Sequence, residues 1–485
     1  MKKGWSLFFF ITVTSMFGAV VYRIVQQGQI MEKSKLITAP VKSVSPVSSI
    51  ESFDVFTKVF NSNIEHPLAV LLLQIVVIVA FARLMGFLFK KIGQPSVIGE
   101  VVAGIILGPS ILGLFFPSVN HFIFPAASLL NLQLLSQIGL ILFMFVVGME
   151  LEVSGIRKQA YGAFIVSQTS IIVPFVSGMG LAYFLYEAYA PANISFLAFS
   201  LFMGIAMSIT AFPVLARILK EKNLTQTNLG IMSLSSAAIG DITAWFILAA
   251  VIAIVKAGSS VSIVYSLGIT VVYIAIMILL IRPLLIKLGF IYNNNESKRK
   301  AVIAVLFMLL ILSSYTTEII GIHALFGAFL MGVLMPSGLN FRKIVTDKIE
   351  DVSIVLLLPL FFVFNGLRTQ IGLLDQPYLW SVCGWVILVA IVGKFGGSAL
   401  SARVVGQNWK DSLSIGALMN TRGLMELIVL NIGYDLGILS PQIFTMMVLM
   451  ALVTTFMTGP ALDLINWLMK DKTAVVDTTL IKTIP

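Results

Sequence analysis

Long apolar runs are the feature of this chain that most constrains its fold. Stretches of 18 or more mostly apolar residues recur along the sequence, and about fourteen of them are long enough to cross a bilayer as helices. Hydrophobic residues make up 58% of the chain and charged residues only 11%, so little polar sequence remains for a soluble domain. The sequence therefore predicts an all-α polytopic membrane protein in contact with a lipid bilayer.

The N-terminal region is expected to stand apart from the main bundle. Lys2 and Lys3 precede an apolar run, which is typical of a signal helix or an uncleaved anchor, and the bulky ring of Phe17 at the candidate cleavage site favours the anchor. Polar sequence including "PVKSVSPVSS" follows and predicts an extended extracytoplasmic linker. The predicted organisation is an anchor or signal helix at 1–25, the linker at 26–65, a transmembrane domain at 66–468 and a short cytoplasmic tail at 469–485.

The transmembrane domain divides into about 13 core apolar segments. Their predicted ranges are 67–89, 97–115, 129–149, 161–186, 195–217, 229–255, 262–289, 300–316, 319–336, 351–367, 378–403, 411–433 and 441–468. If the segments alternate in direction, the main clusters of Lys and Arg all fall on one side, which marks the cytoplasmic side. These clusters are Lys90/Lys91, Arg157/Lys158, Lys220/Lys222, Lys298/Arg299/Lys300, Arg342/Lys343, Arg403/Lys410 and Lys470/Lys472. The net charge of +10 is thereby explained by topology in a cell (inner) membrane with a cytoplasmic C-terminus, and no nucleic-acid partner is expected.

One core segment, "MSITAFPVLARIL", is interrupted by a proline. Pro213 has no N–H to donate to the carbonyl of Ile209, and its ring crowds that carbonyl. The helix is therefore expected to open at Thr210, Ala211 and Phe212. A proline that merely kinks a packed helix is the alternative interpretation.

A second segment, "LMNTRGLMELIVLNIG", carries a polar and flexible stretch made of Asn420, Thr421, Arg422 and Gly423. The two interrupted segments are the fifth and the twelfth of the core, seven positions apart in the count, so they cross the membrane in opposite directions. Paired broken helices in inverted orientation are typical of the midplane site of a secondary transporter, because freed carbonyls and half-helix ends can solvate an ion.

Asp241 lies near the centre of the segment that follows the first interruption. An ionised carboxylate at that depth costs about 2.5 to 3.5 kcal/mol on insertion scales, so it should face a water-filled cavity or a partner. Burial disfavours its charged form, and such a group can exchange a proton for a metal ion. A hydrogen-bonded structural aspartate is the alternative.

Lys394 is the second charge expected deep in the membrane. It lies too far from either end of its segment to reach water, so a carboxylate partner is expected, and Asp241 is the best candidate by depth. Lys394 could instead cap the C-terminal end of a half-helix or pair with another acid. Gly393 and Gly397 would let a neighbouring helix approach closely.

Other charged residues are weaker candidates. Arg422 and Glu426 are four residues apart on one helical face, which favours a structural ion pair, although both could line the ion path. For Glu100, a structural and a functional role are equally consistent with the sequence. Glu318 and His323 are expected to lie at the membrane interface rather than in a proton relay.

The sequence offers no enzyme signature and no cofactor site. The three His residues are scattered, the one Cys, Cys383, provides no thiolate cluster, and no Gly-rich Lys loop for phosphate occurs. Intramembrane aspartyl proteolysis would need two facing carboxylates, and the only other deep acid is Glu426, close to an Arg. A non-transporting membrane protein is disfavoured because a buried acid and base would cost stability without a use.

Seven blocks of the chain, in order, resemble the second branch of the monovalent cation:proton antiporter family. The blocks are "GQPSVIGEVVAGIILGPSILG", "GLILFMFVVGMELE", "MSITAFPVLARIL", "SAAIGDITAWFILA", "GIHALFGAFLMGVLMP", "LPLFFVFNGLRTQIG" and "MNTRGLMELIVLNIG". That branch includes plant cation/H+ exchangers and bacterial sodium/proton and potassium/proton antiporters. The resemblance runs from about residue 67 to about residue 468.

The resemblance implies about 13 core helices with inverted repeats, two crossed discontinuous helices, and an essential aspartate that matches Asp241. The family's buried lysine matches Lys394. It also implies a homodimer in which a core domain moves against a dimerisation domain. Family members commonly carry Asp or Asn before the essential aspartate, whereas this chain has Gly240, which favours electroneutral exchange because one carboxylate carries one proton or one cation at a time.

The resulting hypothesis is an antiporter that exchanges Na+ or K+ for H+. Asp241 would bind the transported cation with help from Thr210 and the carbonyl of Ile209, and would carry H+ when protonated. Lys394 would balance the charge of the empty site. A ligand-gated monovalent cation efflux channel is the alternative, against which the short C-terminal tail weighs.

Overall fold

The computed structural model describes most of the transmembrane domain and a short helix before it. The described residues are 15–16, 19–20, 22–23, 26–27, 49–150, 160–225, 227–257, 260–336 and 340–469. The predicted anchor at 1–25 (apart from isolated residues), most of the linker before residue 49 and the tail from residue 470 therefore lie outside the described residues, as do Arg157 and Lys158.

The second part of the predicted linker is helical rather than extended. Helix α1 spans Ser49–Ile64, in a unit separate from the rest of the chain. Phe53, Phe56 and Phe60 recur at helical spacing, and the rings of Phe56 and Phe60 stack with centroids 5.9 Å apart. The prediction of extended structure was wrong for this segment, because it rested on the Ser- and Pro-rich composition before residue 49 and overlooked the helical periodicity after it. The assignment of 26–65 as an extracytoplasmic linker stays a prediction.

All other described elements are helical, and the described residues contain no β-strand. In chain order they are α2 (Pro67–Lys91), α3 (Ser96–Leu107), α4 (Leu112–Phe115), α5 (Pro117–Ile123), α6 (Leu129–Glu150), α7 (Ala160–Tyr189), α8 (Phe196–Ser208), α9 (Phe212–Glu221), α10 (Asn228–Ala257), α11 (Ser260–Ile276), α12 (Arg282–Asn294), α13 (Arg299–Ile320), α14 (Ala324–Val333), α15 (Asn340–Val352), α16 (Leu358–Arg368), α17 (Pro377–Ile391), α18 (Gly397–Val404), α19 (Trp409–Met419), α20 (Leu424–Asp435) and α21 (Pro441–Leu468). Three π-helical segments join consecutive helices: Met277–Ile281, Ser353–Leu357 and Val392–Gly396.

Within the described residues, 10 helical stretches are long and apolar enough to cross a membrane, and α8 and α14 are shorter apolar helices. The predicted segments coincide with helical structure, and most ends differ by a few residues. The largest difference is at the segment predicted to begin at 351, where α15 already begins at Asn340. Its first turns are amphipathic and rich in charge, so a prediction based on apolar runs omitted them.

The helices pack into two groups. One group, the core bundle, consists of α7–α10 and α17–α21; the other, the scaffold, consists of α2–α6 and α11–α16. Apart from the consecutive helices α10 and α11, the groups touch where α16 meets α20 and where α21 meets α3 and the turn Ile371–Leu373. The rings of Trp245 and Phe246 on α10 also pack against Phe329 and Phe326 on α14.

Glycine pairs bring helices together inside each group. An added Cβ at Gly104 of α3 would lie 2.7 Å from the Cα of Gly366 on α16, and one at Gly178 of α7 would lie 3.0 Å from the Cα of Gly204 on α8. Neither position leaves room for a side chain, so the backbones approach as small residues permit in membrane bundles. The broken helices are thus held in a closely packed core bundle.

Candidate ion-binding site

The two predicted interruptions are present and contact each other. Helix α8 ends at Ser208 and α9 begins at Phe212, while α19 ends at Met419 and α20 begins at Leu424. The backbone N–H of Ala211 donates to the carbonyl of Thr421 at 3.0 Å. Backbone groups that each helix loses at its break are therefore satisfied by the other break.

Side chains reinforce this contact. The hydroxyl of Thr210 donates to the carbonyl of Met419 at 3.1 Å. An added Cβ at Gly423 would lie 3.0 Å from Cγ2 of Val214 and 3.5 Å from Cβ of Ala211, so Gly423 lets the second break lie directly against the first. Thr210 and Ala211 are thus open as predicted and form part of this contact, whereas Phe212, also predicted to be open, already begins α9, and the break includes Ile209 instead.

Helix α21 holds the second break from the other side. The N–H of Arg422 donates to Oγ1 of Thr455 at 3.0 Å, and that hydroxyl donates to the carbonyl of Arg422 at 2.8 Å. The hydroxyl of Thr421 donates to Oγ1 of Thr458 at 3.3 Å. These threonines replace the helical hydrogen bonds that the broken segment cannot make.

Two positively charged side chains, those of Arg422 and Lys394, lie at the C-terminal end of α8. Arg422 donates from Nη1 to the carbonyl of Ala206 at 3.1 Å and from Nη2 to that of Met207 at 2.8 Å, and Lys394 donates to the carbonyl of Ser208. A helix leaves its last carbonyls without partners and carries partial negative charge at that end. The two side chains therefore satisfy and neutralise the end of the first half-helix.

Arg422 also forms the expected ion pair with Glu426. Nη1 of Arg422 lies 3.0 Å from Oε1 of Glu426, and both side chains are fully buried. Glu426 lies in the first turn of α20, where a carboxylate is favoured by the helix dipole. The second oxygen of Glu426, Oε2, is buried without a hydrogen-bond partner.

Lys394 is positioned by the π-helical segment Val392–Gly396. Besides Ser208, its ammonium group donates to the carbonyl of Ser170 on α7 at 2.9 Å. It makes no hydrogen bond to Asp241, whose two carboxylate oxygens both lack a partner. Its hydrogen bonds are those of the half-helix cap, the alternative that the sequence left open; its action as a charge partner of Asp241 stays a prediction.

Asp241 is 1% exposed and has no hydrogen-bond partner at either carboxylate oxygen. The backbone amide of Phe212, at the N-terminal end of α9, lies close enough to act on the carboxylate but outside hydrogen-bond geometry. The carboxylate of Asp241 therefore has no fixed protein ligand.

Further buried oxygens of the core bundle also lack hydrogen-bond partners. They are the hydroxyls of Ser167, Ser170, Ser233, Ser236 and Ser398, Oδ1 of Asn420 and Oε2 of Glu426. Ser167 stands beside Gly240, whose added Cβ would lie 3.3 Å from its Oγ. Buried polar atoms without partners are costly, and oxygen is the ligand type that an alkali cation requires. The sequence interpretation missed these serines, although "SLSSAAIGD" places Ser233 and Ser236 on the same helix as Asp241.

The remaining candidates lie elsewhere. Glu100 is buried on α3, in the scaffold, and is not part of the core bundle that contains Asp241. Glu318 and His323 serve the start of α14: Oε2 of Glu318 accepts from the N–H of Ala324 at 2.8 Å, and Nδ1 of His323 accepts from the N–H of Leu325 at 3.4 Å. In the described part of the chain, no group of three or more His, Cys, Asp or Glu side chains forms a resident metal site.

Two broken helices in contact, next to a buried carboxylate without partners, define a secondary transporter. Residues 76–467 match the family described as sodium/hydrogen exchanger, transmembrane. The chain belongs to this family of monovalent cation:proton antiporters.

Relatives support this membership. The Na(+)/H(+) antiporter NhaS4 of Synechocystis sp. is 44% identical over 396 residues, which cover 81% of this chain and 97% of that protein. Cation/H(+) antiporter 19 of Arabidopsis thaliana is 40% identical, covering 84% of this chain and 50% of the relative, and K(+)/H(+) antiporter 1 of Saccharomyces cerevisiae is 36% identical, covering 84% and 47%. The chain spans about half of the length of these plant and yeast relatives.

A solved structure of similar fold is that of the sodium proton antiporter MjNhaP1 from Methanocaldococcus jannaschii. The TM-score is 0.52 at 16% sequence identity, with 81% of this chain and 95% of that chain covered. At this identity, the similarity concerns the fold alone.

Proposed function

We propose that this protein exchanges a monovalent cation for H+ across the membrane and that Asp241 is the group that carries both. The observation that supports this most is the Asp241 carboxylate, which is buried beside the first break without a hydrogen-bond partner. An ionised carboxylate at that depth needs a counter-charge, and either a proton or a metal cation provides one.

In the deprotonated state, Asp241 binds the dehydrated cation. Additional ligands come from Thr210 and from the carbonyl of Ile209, both of which lie in the break between α8 and α9. Asn420 and the unpartnered serine hydroxyls of α7 and α10 add oxygens within the same bundle. In the protonated state, the carboxyl group is neutral and carries H+ in the opposite direction.

Coupling follows from competition for one carboxylate. Bound H+ and bound cation exclude each other, so the core bundle changes its accessibility only when one of the two neutralises Asp241. Lys394 and Arg422 remain with the end of α8 and keep its carbonyls from competing as a second cation site. Because Gly240 adds no second carboxylate, we propose one-for-one, electroneutral exchange.

The proposed topology has about 13 core segments in inverted repeats, counting the joined pairs α8/α9 and α19/α20 as one segment each. From the distribution of the basic clusters, we propose that the C-terminus lies in the cytoplasm and that the Arg368 end of α16 lies at the extracytoplasmic side of a cell membrane. An anchor helix at 1–25 and a homodimer complete the proposal. The channel alternative is less favoured, because relatives over most of this chain are named antiporters.

The choice of cation stays open between Na+ and K+, since one relative is named a Na+/H+ antiporter and another a K+/H+ antiporter. Exchange measured against Na+, K+, Li+ and Rb+ in one reconstituted preparation decides between them.

The carrier role of Asp241 is tested in proteoliposomes with a clamped membrane potential and an imposed pH gradient. The wild-type protein is expected to dissipate the gradient when Na+ or K+ is added, and Asp241→Asn is expected to abolish this response because an amide binds neither H+ nor a cation strongly. Asp463→Asn is the matched control, since Asp463 is an exposed carboxylate on α21 paired with Lys222. Wild-type exchange by Asp241→Asn would refute the carrier assignment.

A further inference from the structure

A polar cluster joins the scaffold to the core bundle at the end of the molecule that contains Arg368. Nη1 of Arg368 donates to Oδ1 of Asp435 at 2.7 Å and to Oδ1 of Asn431 at 3.0 Å. Its Nη2 donates to Oε1 of Gln133 at 3.0 Å, and Nε2 of Gln133 donates to Oδ2 of Asp435 at 3.1 Å. Gln133, Arg368 and Asp435 form a closed ring of hydrogen bonds, and Asn431 joins the ring through Arg368.

The members of this ring come from opposite helix groups. Gln133 is on α6 and Arg368 ends α16, both in the scaffold, whereas Asn431 and Asp435 are on α20, the second half of a broken helix in the core bundle. One turn deeper, the side-chain amide of Asn431 donates to Oδ1 of Asn365 on α16. These polar contacts lie where α16 and α20 meet, at one of the places where the two groups touch.

Aromatic rings on both sides complete the contact. The guanidinium group of Arg368 lies 4.4 Å from the ring centroid of Phe364 on its own helix and 5.4 Å from that of Tyr434 on α20. The four polar side chains line one pocket between the two groups, together with apolar residues that include Leu140, Phe361 and Ile428.

The exposure of the cluster suits a contact that opens and closes. The side chains of Arg368 and Asp435 are 18% and 34% exposed, so water can replace their mutual hydrogen bonds as they part. The Arg422–Glu426 pair, by contrast, is fully buried and lies within one helix group, so opening it would leave charges without solvent.

We propose that Gln133, Arg368, Asn431 and Asp435 form a latch that closes the ion path at this end and must open in every exchange cycle. The transport readout of this proposal rests on the proposed antiport function. Motion of α20 relative to α16 would separate the two halves of the latch, and their recombination would return the core bundle to the closed position.

Cross-linking tests whether the latch must open. In a Cys383→Ala background, Gln133→Cys and Asp435→Cys place one thiol on each helix group, and oxidation with copper phenanthroline joins them. Exchange in proteoliposomes is expected to fall at least tenfold after cross-linking and to recover on reduction. Unchanged exchange by the cross-linked protein would overturn the latch.

The matched control joins two residues of one helix group. Lys222 and Asp463 form an ion pair of 2.6 Å between the end of α9 and α21, both in the core bundle. The same treatment of Lys222→Cys with Asp463→Cys should leave exchange unchanged. Asp241→Asn in the same assay separates the two proposals: if it loses exchange while the cross-linked latch pair retains it, the latch fails and the carrier role stands.

Thiol accessibility tests whether the latch closes the path. Ile428 lies on α20 below the cluster and is 1% exposed. Labelling of Ile428→Cys by a membrane-impermeant maleimide added at the Arg368 side is expected to become severalfold faster when Arg368→Gln is introduced. Arg368→Lys should give an intermediate rate, because a lysine retains the charge but cannot make the hydrogen bonds of both Nη1 and Nη2. Equal rates with Arg368 and with Gln would contradict the closing role.

Discussion

Arg422 is expected to stabilise the core bundle mainly through the end of α8 and only secondarily through Glu426. Its guanidinium makes three hydrogen bonds: two to the carbonyls of Ala206 and Met207 and one to Glu426. Arg422→Met removes all three and leaves two carbonyls and a carboxylate buried. Glu426→Gln removes only the charge of one acceptor and leaves both carbonyl contacts in place.

The two substitutions should therefore differ in magnitude. Hydrogen bonds to a charged group contribute about 1.5 to 3 kcal/mol each. Because Arg422→Met loses two that Glu426→Gln keeps, it should lower the free energy of unfolding by about 3 kcal/mol or more beyond the effect of Glu426→Gln. The double variant should be more stable than Arg422→Met alone, because it retains no uncompensated carboxylate. Arg422→Lys should fall between the single variants, since an ammonium cannot reach both carbonyls in the same fork geometry.

Denaturant titration of the purified variants in detergent micelles measures these free energies of unfolding, with a double-mutant cycle for the pair. If Glu426→Gln is as destabilising as Arg422→Met, the ion pair dominates and the capping role of Arg422 is refuted.

Three other expectations follow from the site. Lys394→Ala should reduce exchange at least tenfold, because it releases the carbonyls of Ser208 and Ser170. Arg403→Ala, further along the same helix at its exposed end, should leave exchange unchanged. Equal activity of the two variants would remove Lys394 from the site. Gly423→Val should reduce exchange by forcing the two breaks apart, and Gly459→Val on α21, where an added Cβ meets nothing within 4 Å, is its control. Exchange should not depend on membrane potential when the potential is set by an ion that the protein does not transport, and a rate that rises with potential would contradict one-for-one stoichiometry.

The breaks and the buried acid could be predicted from sequence because each follows from local chemistry. A proline cannot continue the hydrogen bonding of its helix, and a carboxylate in an apolar run is visible by composition alone. The structure has the breaks at 209–211 and 420–423, within one residue of the prediction for the first.

The partner of Lys394 could not be predicted from the sequence, because depth in the membrane does not give the direction of a side chain. Its π-helical segment inserts an extra residue into the helical turn and changes the face on which Lys394 lies. The sequence alone shows no such irregularity in "IVGKFGGSALSA", so the choice between Asp241 and the end of α8 stayed open.

The latch was missed because its members are far apart in the chain. Gln133 and Arg368 are separated by 235 positions, and no local pattern links them. One indication was readable: Asn365 and Asn431 each interrupt an apolar run, in "FFVFNGLR" and "LIVLNIGYD", and polar residues in such runs commonly bond across helices.

The most direct test of a single shared carboxylate is the apparent KM for the transported cation, measured in proteoliposomes as a function of pH. If H+ and cation compete for Asp241, the apparent KM should rise about tenfold for each unit of pH lowered in the acidic range, while the rate at saturating cation stays constant. A KM independent of pH, with a maximal rate that falls as the solution becomes more acidic, would show two separate sites and contradict the mechanism.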